Sequence, residues 1–168
     1  SLPNYDLIPL EIENGKIKTF GEEKDVKIPE NAEIIDANGA YVGPGFVDLH
    51  IHGGDGYNLF AETKKVAEYF LKHGETSILP TSPGMYSHEE FMEGIRKVKD
   101  AMKTSKSIKG VYMEGPYLNP NYGACKGLVR WNSGDILEEH YIPLVDELGS
   151  IVKVWTIAPE REGIMKFL

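Results

Sequence analysis

The chain has 168 residues, 26 acidic against 18 basic, and a net charge of −8; its 41% apolar and 26% charged content is globular. The acidic balance argues against a nucleic-acid partner, which needs clustered Lys and Arg, and no apolar run of about 18 residues suggests a membrane span. A lone cysteine, Cys125, excludes an intramolecular disulfide and fits a reducing, cytoplasmic setting. The start, SLPNYDLIPL, is unlike a signal peptide, and 168 residues fall short of the roughly 250 of a complete (β/α)8 barrel.

Residues 2–44 read as short strands and turns. Tyr5-Asp6-Leu7-Ile8 and Leu10-Glu11-Ile12 are β-rich, and Asn14-Gly15 marks a tight turn before Lys16-Ile17-Lys18-Thr19-Phe20. Ile17 alternates with two lysines, as in a half-buried strand. A further short strand is expected over Glu33-Ile34-Ile35-Asp36, ending at Asn38-Gly39.

From Gly43-Pro44-Gly45 the pattern changes. A strand, Phe46 to His52, runs into Gly53-Gly54. Residues 62–73 predict a helix with Val66, Ala67, Phe70 and Leu71 on one face, stopped by Gly74. Thr76 to Leu79 form the next strand, running into Pro80-Thr81. Ser87 and Glu90 make a capping box for a helix whose stripe is Phe91, Ile95, Val98 and Met102. A third strand, Gly110 to Glu114, meets Gly115-Pro116. A loop of about 17 residues (117–133) follows, a length usually reserved for function. Residues 135–148 predict a helix that Pro143 should kink or interrupt. A fourth strand spans Ile151 to Ile157, and another helix starts near Gly163. This βαβαβαβ order implies parallel strands flanked by helices, with chemistry at the strands' carboxyl ends.

Three places there can carry chemistry. His50 and His52 are two apart on one strand, so both imidazoles face one side at its carboxyl end. Neutral imidazoles so placed suit zinc or iron, although the same spacing describes two half-exposed histidines beside a turn. Glu114 ends an otherwise apolar strand, where a carboxylate is a metal ligand, a general base, or a solvated strand end. The segment Asn119 to Gly127 carries two glycines that let backbone approach a ligand; the plainer reading is a surface loop. Cys125 has no partner spacing for a nucleophile and reads as an inert thiol. Asp48 either orients a histidine ring or is a buried structural carboxylate. His73 suits a helix C-terminus, while His88 and His140 read as exposed.

Gly43-Pro44-Gly45-Phe46-Val47-Asp48-Leu49-His50-Ile51-His52-Gly53 resembles the first-strand signature of the amidohydrolase superfamily. Three later blocks resemble the N-acetylglucosamine-6-phosphate deacetylase family within it. These are Thr76 to Thr81, Gly110-Val111-Tyr112-Met113-Glu114-Gly115-Pro116-Tyr117-Leu118-Asn119-Pro120, and Thr156 to Glu160. The resemblance implies metal-dependent hydrolysis of the acetamide of N-acetylglucosamine 6-phosphate to glucosamine 6-phosphate and acetate. By this analogy Glu114 is a metal ligand. His50 and His52 match the pair that holds a further metal where members carry one, so the cofactor is zinc or iron, one or two per site. Ala124 matches a sugar-contacting position, and Cys125 stands where many members have a histidine associated with the substrate carbonyl, in a shorter loop. Substrate contacts are therefore expected at Ala124 and Cys125.

The fold class expected is α/β. Residues 1–43 are a β-rich segment of a small β-sandwich domain; 44–168 are the first half of a (β/α)8 barrel, about four βα units. The resemblance places further histidine ligands, the catalytic aspartate and the phosphate-binding groups beyond residue 168, so this chain alone is expected to be inactive. It implies a phosphorylated amino-sugar substrate and a homodimer in the complete enzyme. The alternatives are another amidohydrolase, a deaminase or cyclic-amide hydrolase, and a non-catalytic fragment holding half a site.

Overall fold

The computed structural model describes residues 8–82, 84–124, 126–127 and 136–168. Two compact units divide at Pro44 and Gly45.

In the first unit, β1 (Leu10–Glu13) and β2 (Lys16–Phe20) form an antiparallel ribbon turned at Asn14-Gly15, both with positive φ. Lys18 reaches the carboxylates of Glu11 at 3.0 Å and Glu13 at 3.3 Å. All five residues of β2 are exposed, so Ile17 is not half-buried as its alternation suggests. A two-stranded ribbon buries a face only against another layer; among the described residues of this unit only Val26 is buried. Residues 33–36 form no strand, although Asn38-Gly39 does turn. Ile34 and Ile35 supply β-prone side chains, but their backbone pairs with no described strand. The strand expected over residues 5–8 falls almost wholly outside the described residues; Ile8, the one described, is not in a strand.

The second unit is built on four parallel strands in the order β3-β6-β7-β8. These are Phe46–Ile51, Glu75–Ser82, Val111–Glu114 and Val152–Thr156. A two-residue ribbon, β4 (Gly53–Gly54) with β5 (Tyr57–Asn58), lies in the first connection before α1 (Thr63–Lys72). Helix α2 (His88–Met102) links β6 to β7, α3 (Glu138–Leu148) and a short 3₁₀ turn precede β8, and α4 (Ile164–Phe167) follows it. The core between sheet and helices contains Ile78, Ile95, Val98, Val111, Met113 and Leu148.

The helices follow their sequence signals with two adjustments. In α1 the buried stripe is Thr63, Val66 and Ala67, with Phe70 packed on the core; Leu71 is 51% exposed. Thr63 completes that face one turn earlier, and Leu71 is rotated about 100° past Phe70, off its edge. Helix α3 starts at Glu138 and runs through Pro143 without a break. Proline removes a bond to the carbonyl four residues back, which here belongs to exposed Glu139 on the first turn. The capping box of α2 is complete: Ser87 Oγ accepts from Glu90 N at 3.2 Å, and Glu90 Oε2 accepts from Ser87 N at 2.8 Å.

Gly94 is where α2 meets Phe60. A Cβ there would lie 2.5 Å from Phe60 Cδ2, 2.6 Å from Cγ and 2.9 Å from Cβ, and the ring's root cannot swing away. Alanine gains up to about 1 kcal/mol of helix propensity, whereas overpacking costs about 1–3 kcal/mol. Gly94→Ala is therefore expected to destabilise by about 1 kcal/mol or more in urea unfolding; a stabilised variant would show that the helix can shift.

At the foot of β6, Glu75 Oε2 is closed off from solvent with no hydrogen-bond partner among the described residues. Burial, then the charge of Asp48, raises its carboxyl above the ordinary 4.5, opposed by His73. The folded chain thus keeps a proton that the unfolded chain has released. This contribution to stability falls as pH rises from 4.5 through the raised folded value and remains a penalty above it. Glu75→Gln is expected to be the more stable protein at pH 7, with the difference disappearing in acid. A lower urea midpoint for Glu75→Gln at pH 7 would contradict this.

Candidate metal centre

β3 and β7 flank β6, and both carry candidate ligands to the carboxyl end of the sheet. The β6 hydroxyls tie them in place. Thr81 Oγ1, fully buried, accepts from Ile51 N at 3.0 Å, midway between the two histidines. Ser82 Oγ accepts from Glu114 N at 3.2 Å. Sequence reading did not single out either hydroxyl as a support for the site; β6 opens on Glu75-Thr76-Ser77 as well, so a closing Thr-Ser pair is no distinctive signal.

The register of β3 on β6 slips between Asp48 and Ile51. Asp48 Oδ1 accepts from His50 N at 2.8 Å within that slip. Asp48 therefore grips the backbone of His50 and orients it through the main chain; among the described contacts it has no bond to an imidazole.

His52 lies just past the end of β3, where its carbonyl accepts from Leu59 N at 3.2 Å. Gly53 is pressed against the returning chain: a Cβ there would meet Tyr57 O at 2.3 Å, so only glycine lets the β4–β5 ribbon close behind His52. On β7, Val111 and Met113 are buried in the core, and the alternation sends Tyr112 and Glu114 to the other face. Gly115-Pro116, a cis peptide, turns the chain away directly after Glu114.

These constraints bring three donors together. His50 Nε2 is 3.1 Å from His52 Nε2, and Glu114 Oε2 lies 3.2 Å from His52 Nε2 and 3.7 Å from His50 Nε2. The histidine side chains are a little under half exposed and Glu114 about a quarter. Bonds of about 2.0–2.1 Å to a tetrahedral ion imply donor separations of about 3.3 Å. The observed spacing fits one divalent ion held by two imidazoles and a carboxylate. Among the described residues these three would supply part of the coordination sphere of such an ion.

Beside Glu114 is an open cavity of about 230 Å³ lined by Leu118, Asn119, Tyr122, Gly123 and Ala124. Asn119 is held from both sides: its Nδ2 donates to Glu160 Oε1 at 2.7 Å, and its Oδ1 accepts from Asn121 N at 3.0 Å. The Asn119 bond, first among the causes, lowers the Glu160 carboxyl. Ala124 thus lies on the cavity wall next to the donor cluster, while Cys125 lies outside the described residues. The other histidines lie elsewhere: His73 caps α1 with Nδ1 2.8 Å from Tyr69 O, and His88 and His140 are exposed on α2 and α3.

No protein-family model matches the sequence. The N-acetylglucosamine-6-phosphate deacetylase of Bacillus subtilis (strain 168) is 27% identical over 161 residues, 90% of this chain and 40% of that protein. A dihydroorotase of Aquifex aeolicus (strain VF5) is 56% identical, but over 41 residues, 24% of this chain and 9% of its own. In three dimensions, the crystal structure of N-acetylglucosamine-6-phosphate deacetylase from Pasteurella multocida superposes with a TM-score of 0.72 at 26% identity. It covers 92% of this chain and 41% of the other. The chain therefore spans about two fifths of the length of the deacetylases it matches. Among the described residues, no helix is long and apolar enough to cross a membrane. In sequence and in its partial α/β barrel fold, this chain is related to the N-acetylglucosamine-6-phosphate deacetylases, enzymes of the amidohydrolase family.

Proposed function

We propose that His50, His52 and Glu114 hold a divalent metal, zinc or iron, for hydrolysis of the acetamide of N-acetylglucosamine 6-phosphate to glucosamine 6-phosphate and acetate. The observation that carries this is the convergence of two Nε2 atoms and one Oε2 within 3.7 Å at the carboxyl ends of β3 and β7. When bound, a metal polarises an amide carbonyl and lowers the pKa of water toward neutrality.

The chain's own residues do the holding. Each imidazole offers its Nε2 lone pair only when the proton sits on Nδ1, so acid releases the metal. One carboxylate and two neutral imidazoles leave a bound divalent ion with net positive charge. In this reading the cavity wall beside Glu114, with Asn119, Tyr122 and Ala124, would receive the acetamide and sugar. None of the described residues that line it is Lys or Arg, so the phosphate charge would be answered by other groups. The small β-sandwich expected around residues 1–43 and a homodimeric assembly belong to this same proposal.

The test is metal content followed by acetate release. The chain should take up zinc or ferrous ion at one equivalent or more. Because it spans about two fifths of its relatives, turnover should be assayed on the longest polypeptide that carries it. Release of acetate from the phosphorylated sugar supports the reading. A metal-loaded protein that opens dihydroorotate instead would transfer it to the cyclic-amide class that the short dihydroorotase match favours. A polypeptide that binds no metal would refute it.

A further inference from the structure

The proposed metal centre has a floor beneath it on the same face of the sheet. Tyr112 and Glu114 alternate in step on β7, so the phenol lies one layer below the carboxylate. Its ring meets the His50 imidazole edge-on, with centroids 4.8 Å apart and planes at 64°. The phenol oxygen lies 2.6 Å from Thr156 Oγ1 on β8, a hydrogen bond that anchors the ring from behind. Thr156 is itself in register with Glu114, so the anchor sits on the strand beside that ligand. His50 thus touches two rings: His52 at 4.9 Å, its proposed co-ligand, and Tyr112, whose hydroxyl is engaged by Thr156.

We propose that Tyr112 is a positioning residue: its ring, braced by Thr156, fixes the His50 rotamer that turns Nε2 toward His52 and Glu114. This rests on the metal-centre reading for its purpose, but not for its geometry. Asp48 holds the His50 main chain from below and leaves the side-chain torsions free. A half-exposed imidazole samples several rotamers unless something packs on it, and the aromatic edge contact supplies that packing. The ring supplies most of the restraint, and the Thr156 bond adds a smaller part by anchoring the phenol from behind.

The experiment reads the rotamer without metal and the affinity with it. In the metal-free chain labelled at histidine, NMR couplings should show one dominant χ1 rotamer at His50. Tyr112→Leu should average that rotamer and weaken zinc binding about 10–100-fold, the range for residues that orient ligands. Tyr112→Phe keeps the ring and should stay within a few-fold of the parent. Thr156→Val should match it, and the double variant should be no worse than either single one, since both remove the same bond. Circular dichroism melts confirm that each variant is folded. A folded Tyr112→Leu chain with an unchanged rotamer and unchanged zinc affinity would overturn the inference while leaving the metal centre intact. Rotamer averaging in Tyr112→Leu, in a parent that binds no zinc, would support the Tyr112 contact and reject the metal centre.

Discussion

Replacing Glu114 with alanine should abolish tight zinc binding, a loss beyond the roughly 10–100-fold that follows from disturbing a residue that merely orients a ligand. Two physical terms act together. The carboxylate is the only anionic donor in the cluster, so its loss removes the charge attraction as well as one bond. It also leaves the two imidazoles 3.1 Å apart with no oxygen to complete the triangle. The fold should survive, because the Glu114 side chain is about a quarter exposed and its backbone N–H still reaches Ser82 Oγ. Competition against a chromophoric chelator measures this. Zinc affinity unchanged in Glu114→Ala would remove Glu114 from the ligand set. Glu114→Gln, which keeps shape without charge, should fall between parent and alanine.

Truncating Met113 should give the heaviest stability loss near the site. It is fully buried in the core beneath β7, with Ser82 Oγ 3.9 Å from its sulfur. Met113→Ala removes its dispersion contacts and leaves a cavity that a sheet strand cannot readily collapse to fill, a cost of about 2–5 kcal/mol. Set against the roughly 5–15 kcal/mol of a typical domain, that is a large fraction. The urea midpoint should drop with little change in slope. A loss below about 1 kcal/mol would mean that the neighbouring side chains close the gap. Met113→Leu conserves volume and should recover most of the stability. Because Met113 and Glu114 are consecutive and on opposite faces, the truncation should also weaken zinc binding, whereas an equally buried residue remote from β7, such as Val66, should not.

The donor cluster is largely legible in the sequence. The two-residue period of a strand puts His50 and His52 on one side, and Glu114 closes a strand of the same parallel set. What sequence could not supply was neighbourhood. Thr81 and Ser82 matter because β6 lies between β3 and β7, a fact of sheet order that no local pattern encodes. For Asp48 the sequence leaves two roles open, orienting a histidine or a buried structural carboxylate; within the register slip its carboxylate accepts from the His50 N–H instead of from an imidazole. Tyr112 has no role legible in the sequence, where it is one residue of the third strand; its position under His50 and beside Thr156 comes from β3, β7 and β8 together. The helices were readable wherever capping and periodicity agreed, as at Ser87 and Glu90. The stretch 33–36 misled because β-prone side chains do not make a strand unless the backbone also pairs, and here it pairs with no described strand. Ile17 misled for the related reason that alternation gives a burial pattern only where a second layer exists.

X-ray absorption at the zinc edge on the loaded 168-residue chain would decide whether these three residues share one ion. The geometry predicts scattering from two imidazoles with nitrogens at about 2.0–2.1 Å, and a carboxylate oxygen at about 2.0–2.2 Å. Both imidazole signals should be lost when His50 and His52 are replaced together. Zinc bound with no imidazole in its coordination sphere, or with the same spectrum in that double variant, would contradict the shared site.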